Sequence, residues 1–290
     1  MVPRSLLAVT CGMVALWRVV APAHGAPHLN GVMHALRVVL LLFVFLYLVP
    51  IAMAAGLYWW GGTGDGWQTA DRSSAGLLPA AAAHSGAAVR IFAARTVRWR
   101  GIVASHCWIV FKAEGAGRYT RYDYTAWGEP IRVNGFEADG RWFGTVPEVV
   151  FAADGEAAGA LVPGIERAIA GYAWRSLGDY RVWPGPNSNT FIAAIIDEVP
   201  GLSATLPPTA VGKAYPYDGR WVRRTPSHTG VTVTLGGYVS LTAGWVEGVE
   251  LSIGGAVAGF DVRRPAIVLP GLGRIGMGRS QVSYLARSAA

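Results

Sequence analysis

The sequence predicts an α+β protein, with an N-terminal transmembrane helix followed by one strand-rich exported domain. Three observations predict it. The 290-residue chain is 52% hydrophobic and only 15% charged, with a mean hydropathy of +0.33, which is too apolar for an ordinary soluble domain and calls for a membrane segment. Its 38 glycines and 17 prolines favour a turn-rich, strand-rich architecture over a helical bundle. One apolar helix interrupts the strands, opened by the rigid corner Trp183-Pro184-Gly185-Pro186-Asn187-Ser188-Asn189-Thr190-Phe191 and continued by Ile192 to Val199.

Residues 1–35 form an N-terminal extension. Its stretch Leu6 to Val20 is apolar but interrupted by Trp17-Arg18. It reads as a second, marginal helix or as the product of a start upstream of Met33. Residues 36–58 are the anchor. Counted from Leu36 to Leu57, the apolar run is long enough to span a bilayer. Twelve Val, Leu, Ile and Phe residues between 38 and 51 contribute roughly −4 to −7 kcal/mol to insertion. Arg37 sits at the edge, where it snorkels, and Tyr58, Trp59 and Trp60 supply an interfacial belt. Arg18 and Arg37 precede the span, and Asp65 and Asp71 are the first charges after it. The positive-inside bias therefore leaves the N-terminus in the cytoplasm and exports the rest to the periplasmic side of a bacterial inner membrane. A cleaved signal peptide, cut after Ala52-Met53-Ala54, is the rival reading.

Residues 59–88 read as a linker. The exported domain, 89–278, begins with strands over Val89 to Ala94 and Arg98 to Lys112. The second holds the nearly continuous apolar run Ile102 to Phe111, expected of a strand buried on both faces. Glu114-Gly115-Ala116-Gly117 turns the chain into a hairpin with Arg118 to Trp127. Arg141 to Val150 adds strand character around Trp142 and Phe143. Asp154 is the expected N-cap of a helix through Ala160, and Pro163 the first turn of a second helix carrying Ile165, Ala168, Ile169 and Tyr172. After the Asn187–Val199 helix, Val231 to Leu235 and Tyr238 to Leu241 form a hairpin across Gly236-Gly237. Trp245 to Ile253 and Val257 to Val262 extend the meander. Residues 279–290 are a tail.

The net charge is +7 and the pI about 9.7. Arg95, Arg98 and Arg100 cluster, as do Arg220, Arg223 and Arg224. No zinc-finger, helix-turn-helix or RNA-recognition signature accompanies them, so a nucleic-acid partner is not expected. Besides the bilayer itself, anionic lipid head groups or cell-wall polymers fit a basic protein held beside a membrane; a solvated basic surface fits equally. The two cysteines, Cys11 and Cys107, form no framework or redox motif, and no histidine of the exported domain has metal-ligand spacing, while His24 and His28 fall in the N-terminal extension. No metal or other cofactor is expected. Gly271-Leu272-Gly273-Arg274-Ile275-Gly276 matches a dinucleotide fingerprint by letter, but too little chain follows for the helix and strand that the fingerprint requires.

Two residues raise the question of chemistry. His106 is the strongly polar side chain inside an apolar strand, where a neutral imidazole costs free energy unless it finds partners. Ser188 lies at the positive end of a buried helix. A histidine on a central strand and a hydroxyl at a helix N-terminus are the parts of a nucleophile–base pair, with Asp123 or Tyr122 to orient the imidazole. The plain alternative makes His106 a satisfied core residue and Ser188 a helix cap. The helix field is too weak to ionise a serine by itself, and no G-x-S-x-G elbow is present. Asn187, Asn189, Trp108 and Trp183 flank the two elements and are the binding candidates.

The stretches Ser73-Ser74-Ala75-Gly76-Leu77-Leu78-Pro79, His106-Cys107-Trp108-Ile109-Val110, Trp183 to Phe191 and Pro265 to Gly276 resemble a bacterial membrane-protein family catalogued as domain of unknown function 3750. That resemblance implies no activity. More remotely, His106 on a strand followed by Asn187-Ser188-Asn189-Thr190-Phe191 opening a helix is similar to circularly permuted papain-like proteins of the NlpC/P60 type, where Asn-Cys-x-x-Phe opens the nucleophile helix. That likeness implies Ser188 at the cysteine position and His106 as base, with serine replacing the thiol. Two functions follow: a non-catalytic envelope binding module with a His106/Ser188 cleft, or an envelope hydrolase or acyl/peptidyl transferase with Ser188 as nucleophile, His106 as base and Asp123 as orienter.

Overall fold

The computed structural model describes residues 27–61 and 66–278. The marginal helix Leu6–Val20, Cys11, His24, the orientation charges Arg18 and Asp65, and the tail 279–290 lie outside the described residues. The chain divides into two compact units, Met1–Phe45 and Leu46–Ala290. The first contributes α1 (Pro27–Phe43). A five-residue π-turn, Val44–Leu48, then leads into α2 (Val49–Trp60), where Pro50 sits in the first turn and its missing N–H costs little. Taken together, Asn30–Trp60 is a 31-residue helix long and apolar enough to cross a membrane.

The second unit also holds two antiparallel sheets. The first contains β1 (Ala88–Arg95), β2 (Ser105–Lys112), β3 (Thr120–Tyr124), β4 (Ile131–Val133) and β5 (Glu148–Asp154), in the order β4-β3-β2-β1-β5. The apolar run of the sequence becomes β2, which is buried at every position. Its N-terminal part differs from expectation. Arg98–Ile102 is a 3-10 turn, with Arg98 in the left-handed region and Gly101 packed so closely on Thr96 that a side chain there would strike its carbonyl. Trp142 and Phe143 belong to no strand; Trp142 makes one isolated bridge to Thr145 and otherwise packs its indole under the sheet.

The two helices expected between Asp154 and Tyr172 are one, α3 (Gly155–Gly171), with Pro163 inside it. Asp154 occupies the N-cap position but makes no capping bond; its carboxylate instead takes two hydrogen bonds from Arg90, at 2.7 and 2.9 Å. Helix α4 (Ser188–Glu198) forms as the apolar periodicity requires. Helices α3 and α4 pack Ile165, Ile169, Phe191, Ile192 and Ile195 on the sheet face that carries Ile91, Cys107, Ile109 and Tyr124. The opposite face carries Phe92, Trp108 and Val110 and is covered by Trp142, Phe136 and Phe143.

The remaining chain is a meander, β12-β11-β10-β9-β8-β7-β6. It contains β7 (Gly230–Leu235) and β8 (Val239–Gly244), joined through Gly236 and Gly237, both at positive φ as a tight hairpin turn requires. It continues through β9 (Gly248–Ile253) and β10 (Ala256–Asp261). Three strands add to the expectation: β6 (Val222–Arg224), β11 (Ala266–Leu269) and β12 (Gly273–Gly276). The last absorbs the glycine-rich string, with Gly276 at φ +127 against the Pro265 carbonyl.

Candidate functional site

On β2 successive side chains alternate between the two faces of the sheet. Cys107, Ile109 and Phe111 turn to the helices, and Trp108 and Val110 to the aromatic side. His106 shares the parity of Trp108, and its ring lies flat on Trp142, with centroids 3.7 Å apart. The register pairs Ile109 with Tyr122, so Tyr122 faces the helices and Asp123 faces His106. The structure thereby selects Asp123 as the imidazole's partner, with His106 Nε2 2.8 Å from Asp123 Oδ1. Arg121, two residues back on the same face, donates Nε and Nη2 to the two carboxylate oxygens, at 2.7 and 2.8 Å, and Nη1 to the Glu137 carbonyl. Its guanidinium also lies 4.1 Å from the Trp108 ring centroid.

The three side chains form a closed electrostatic unit. Burial pushes the His106 imidazole below its ordinary pKa, outweighing the pull of Asp123 in the other direction. Burial alone would raise Asp123, but the Arg121 charge and the hydrogen bonds from His106 and Arg121 hold the carboxyl below its usual range. A neutral imidazole therefore donates Nε2–H to an ionised carboxylate already neutralised by a guanidinium. His106 is 4% exposed and Asp123 0%. Trp108, expected to bind, is sealed in the core at 0% exposure, with its indole N–H on the Ala138 carbonyl.

The α4 end is built differently. Asn187 is the N-cap: its side-chain oxygen accepts from the Asn189 and Thr190 N–H groups, and Thr190 Oγ1 accepts from the Asn187 N–H, a complete capping box. Asn187 Nδ2 donates to the Val182 and Val211 carbonyls. Ser188 is thus the first helical residue and not the cap. Burial raises the pKa of the neighbouring Tyr180 phenol, and the nearby Ser188 hydroxyl and backbone N–H moderate the rise. Asn189 donates Nδ2 to the carbonyls of Ser105 and Val211, stitching the helix to β2 and to the following loop. Its Oδ1 is buried without a partner. Gly185 lets the corner close, since a side chain there would strike Thr190 and Tyr215. Trp183 is partly exposed, edge-on to Tyr238 with centroids 4.9 Å apart.

The structure therefore brings His106 to Asp123 and does not bring either to Ser188. His106 leaves β2 on the aromatic face, and α4 packs on the other. Sequence reasoning missed both Arg121, which completes the buried unit from within the expected strand Arg118 to Trp127, next to Tyr122, and Tyr180, which lies beside the Ser188 end of α4.

A cavity of about 110 Å³ does open on the far side of α4, between that helix and the seven-stranded sheet. Ala193, Ile196 and Leu206 supply its apolar wall. The sheet supplies Thr232, Thr234, Thr242 and Glu250, with Lys213, Glu247 and Arg224 at the margins. Lys213 Nζ is 2.7 Å from Glu250 Oε2, and Glu247 accepts from the Ser227 N–H and hydroxyl. Among the described residues, no group of three or more histidine, cysteine or acidic side chains gathers as a metal site.

Residues 86–215 match the model of a family described as Protein of unknown function (DUF3750). The match is narrower than the sequence resemblance: Ser73–Pro79 and Pro265–Gly276 fall outside it. It takes in the five-stranded sheet, α3, α4 and Lys213, and stops before β6. No curated protein and no solved structure matches the chain.

Proposed function

We propose that this chain is a membrane-anchored module of the bacterial envelope that binds a ligand and performs no covalent chemistry. One observation carries the reading. His106 lies on the aromatic face of the five-stranded sheet, whereas α4, which opens with Ser188, packs on the other face, and the imidazole is already bonded to Asp123. A general base must come within hydrogen-bond reach of its nucleophile, directly or through one water, and a buried sheet stands between these two. The permuted papain-like layout survives in this proposal only as an order of elements, a strand and then a capped helix.

The binding surface in this reading is the cavity between α4 and the seven-stranded sheet. An apolar wall with a few convergent polar groups is the usual composition of a small-ligand site, and groups of both signs favour a small zwitterion. The helix Asn30–Trp60 supplies the anchor, with the N-terminus cytoplasmic and the domain in the periplasm. The exposed Arg98 and Arg100 are the groups for anionic head groups or cell-wall polymer.

Fluorophosphonate labelling of the full chain tests the absence of chemistry: wild type and Ser188→Ala label equally, and labelling that Ser188→Ala abolishes overturns the reading. Thermal shift with glycine as the zwitterionic probe tests the cavity. The shift seen in wild type is lost in Glu250→Gln; a shift retained there, or none in wild type, removes the cavity from the proposal.

A further inference from the structure

The seven-stranded sheet is patterned inside out. An antiparallel sheet with one covered face ordinarily turns its apolar row inward and its polar row to water. Here Thr232, Thr234, Ser240, Thr242 and Glu250 face α4 and the cavity, with Thr234, Ser240 and Glu250 buried. The outward row is apolar across the sheet. Register aligns Val222 with Val233, Val233 with Leu241, and Leu241 with Leu251. A second outward row aligns Phe260 with Ile267 and Ile267 with Ile275. All seven of these side chains are exposed, most at about half of their full area: Val222 58%, Leu241 49%, Phe260 50%, Ile267 50%. Contiguous apolar faces of this extent mark interaction surfaces, not ordinary protein exterior.

What covers the face follows from its neighbour. The Tyr47 hydroxyl, within the apolar helix, donates to the Leu251 carbonyl at 2.9 Å, and Tyr47 is 4% exposed. Seven residues on, Ala54 packs against Gly271 in the β11–β12 turn so closely that a side chain at Gly271 would strike it. Tyr47 stands nine residues past Val38 in a run, Val38 to Trp60, that holds no charged residue. Nine residues of helix rise about 14 Å. The sheet is thus fastened to the helix well inside its apolar length, so a bilayer that surrounds the helix also reaches the sheet.

We infer that the outward face of the seven-stranded sheet is seated on the acyl region of the bilayer leaflet from which the anchor emerges. This inference rests on the membrane-anchored reading above. Face-on seating is chemically permissible because the ladder pairs the backbone groups of the interior strands, so lipid meets only side chains; the unpaired groups lie on the edges. Those edges are β6, where Arg224 is exposed and free to meet phosphate, and β12; Arg223 and Arg274 are instead paired with Asp218 and Asp261. Trp221, Tyr238 and Trp245 are exposed in or beside the strands, the aromatic type that prefers the membrane interface.

The test uses the full chain in phosphatidylethanolamine–phosphatidylglycerol vesicles. Single cysteines at Val233→Cys, Leu241→Cys, Phe260→Cys and Ile267→Cys, in a Cys11→Ser, Cys107→Ala background, carry an environment-sensitive fluorophore. Leu42→Cys in the helix and Glu114→Cys on the β2–β3 turn serve as lipid and water references. Variants that retain wild-type tryptophan emission and melting behaviour are compared. Doxyl-labelled lipid is expected to quench the four sheet positions several-fold more than Glu114→Cys, while aqueous iodide quenches them several-fold less. Sheet positions that behave like Glu114→Cys, with Leu42→Cys quenched by lipid, overturn the seating and leave the anchor standing. A Leu42→Cys probe open to iodide overturns the anchor itself. Sheet positions shielded from both quenchers also overturn the inference, because a second protein surface then covers the face.

Discussion

Arg121 is the residue whose loss the structure prices most clearly. It is 1% exposed and sends two hydrogen bonds to a carboxylate that is 0% exposed. Arg121→Met keeps the packing volume on Trp108 but leaves Asp123 charged, buried and supported by His106 alone. Removing one partner of a buried pair costs about 3–5 kcal/mol, because the remaining charge is left without compensation. For a protein of this size each kcal/mol lowers Tm by about 2–4 °C, so the variant should melt about 6–20 °C below wild type. Thermal unfolding of the full chain in detergent, followed by tryptophan fluorescence, reads this directly. The triple variant Arg121→Met, Asp123→Leu, His106→Leu removes every charged or polar partner at once. Replacing a whole buried ionic group by apolar residues is often neutral or stabilising, so the triple variant should recover more than half of the loss. A drop below about 2 °C in the single variant, or a triple variant no better than the single, would refute the account of the cluster as a structural unit.

Three further outcomes follow from the same geometry. The His106 pKa is held below its ordinary value in the folded state, so the unfolded chain binds the extra proton as pH falls below about 6.5. Stability is present above that pH and declines below it at up to about 1.4 kcal/mol per unit; Asp123, also held low, adds a second decline below about 3.9. His106→Gln should remove the first decline and keep the second, and urea titrations from pH 7 to 5 that show equal slopes in both proteins contradict it. Asn187→Ala breaks the capping box and strands the Asn189 and Thr190 N–H groups, at a cost of about 1 kcal/mol or more, whereas Ser188→Ala, which caps nothing, costs less. Comparative denaturation of the two variants decides between them. Alkaline carbonate should leave the full chain in the membrane pellet, and its release into the supernatant would remove the anchor.

Much of this architecture was legible in the residues, and what was not has a physical cause. Helix α4 was readable because Pro184, Gly185 and Pro186 fix the corner and Ile192, Ile195 and Ile196 keep helical spacing. The β7–β8 hairpin was readable from Gly236-Gly237, since few other residues accept positive φ twice in succession. The direction of His106 was not readable. Ser105 to Lys112 is buried on both faces, so no alternation of polar and apolar residues marks which side is which, and a one-residue change in parity carries a side chain to the other face. Asp123 against Tyr122 was undecidable for the same reason, and only the Ile109–Tyr122 register resolves it. Asp154 holds a cap position, but Arg90 on the neighbouring strand competes for the carboxylate with two charged hydrogen bonds, the stronger partner.

The same parity question governs the seven-stranded sheet, and there it connects the cavity to the apolar outward face. Strands β7 and β8 alternate cleanly, so period alone announces a half-buried sheet, and habit assigns the valines and leucines inward. The contacts assign them outward. A polar inward row cannot pack densely on the apolar flank of α4, and the mismatch between Thr232, Thr242 and Glu250 on one wall and Ile196 and Ala193 on the other leaves the cavity open. An apolar outward row calls for a non-aqueous neighbour, and the Tyr47 contact sets the sheet beside the helix that is long and apolar enough to cross a membrane. One inversion of pattern thus accounts for both features. Leu241→Lys separates it from an accident of surface composition: a lysine on a water-facing strand changes stability by a few tenths of a kcal/mol, whereas a lysine set against acyl chains costs up to about 2–4 kcal/mol, falling with its distance from the bilayer midplane. The penalty should therefore appear in vesicles and shrink in a mild detergent whose micelle lets the ammonium reach water. An equal effect in both would leave the sheet with an ordinary, if unusually apolar, surface.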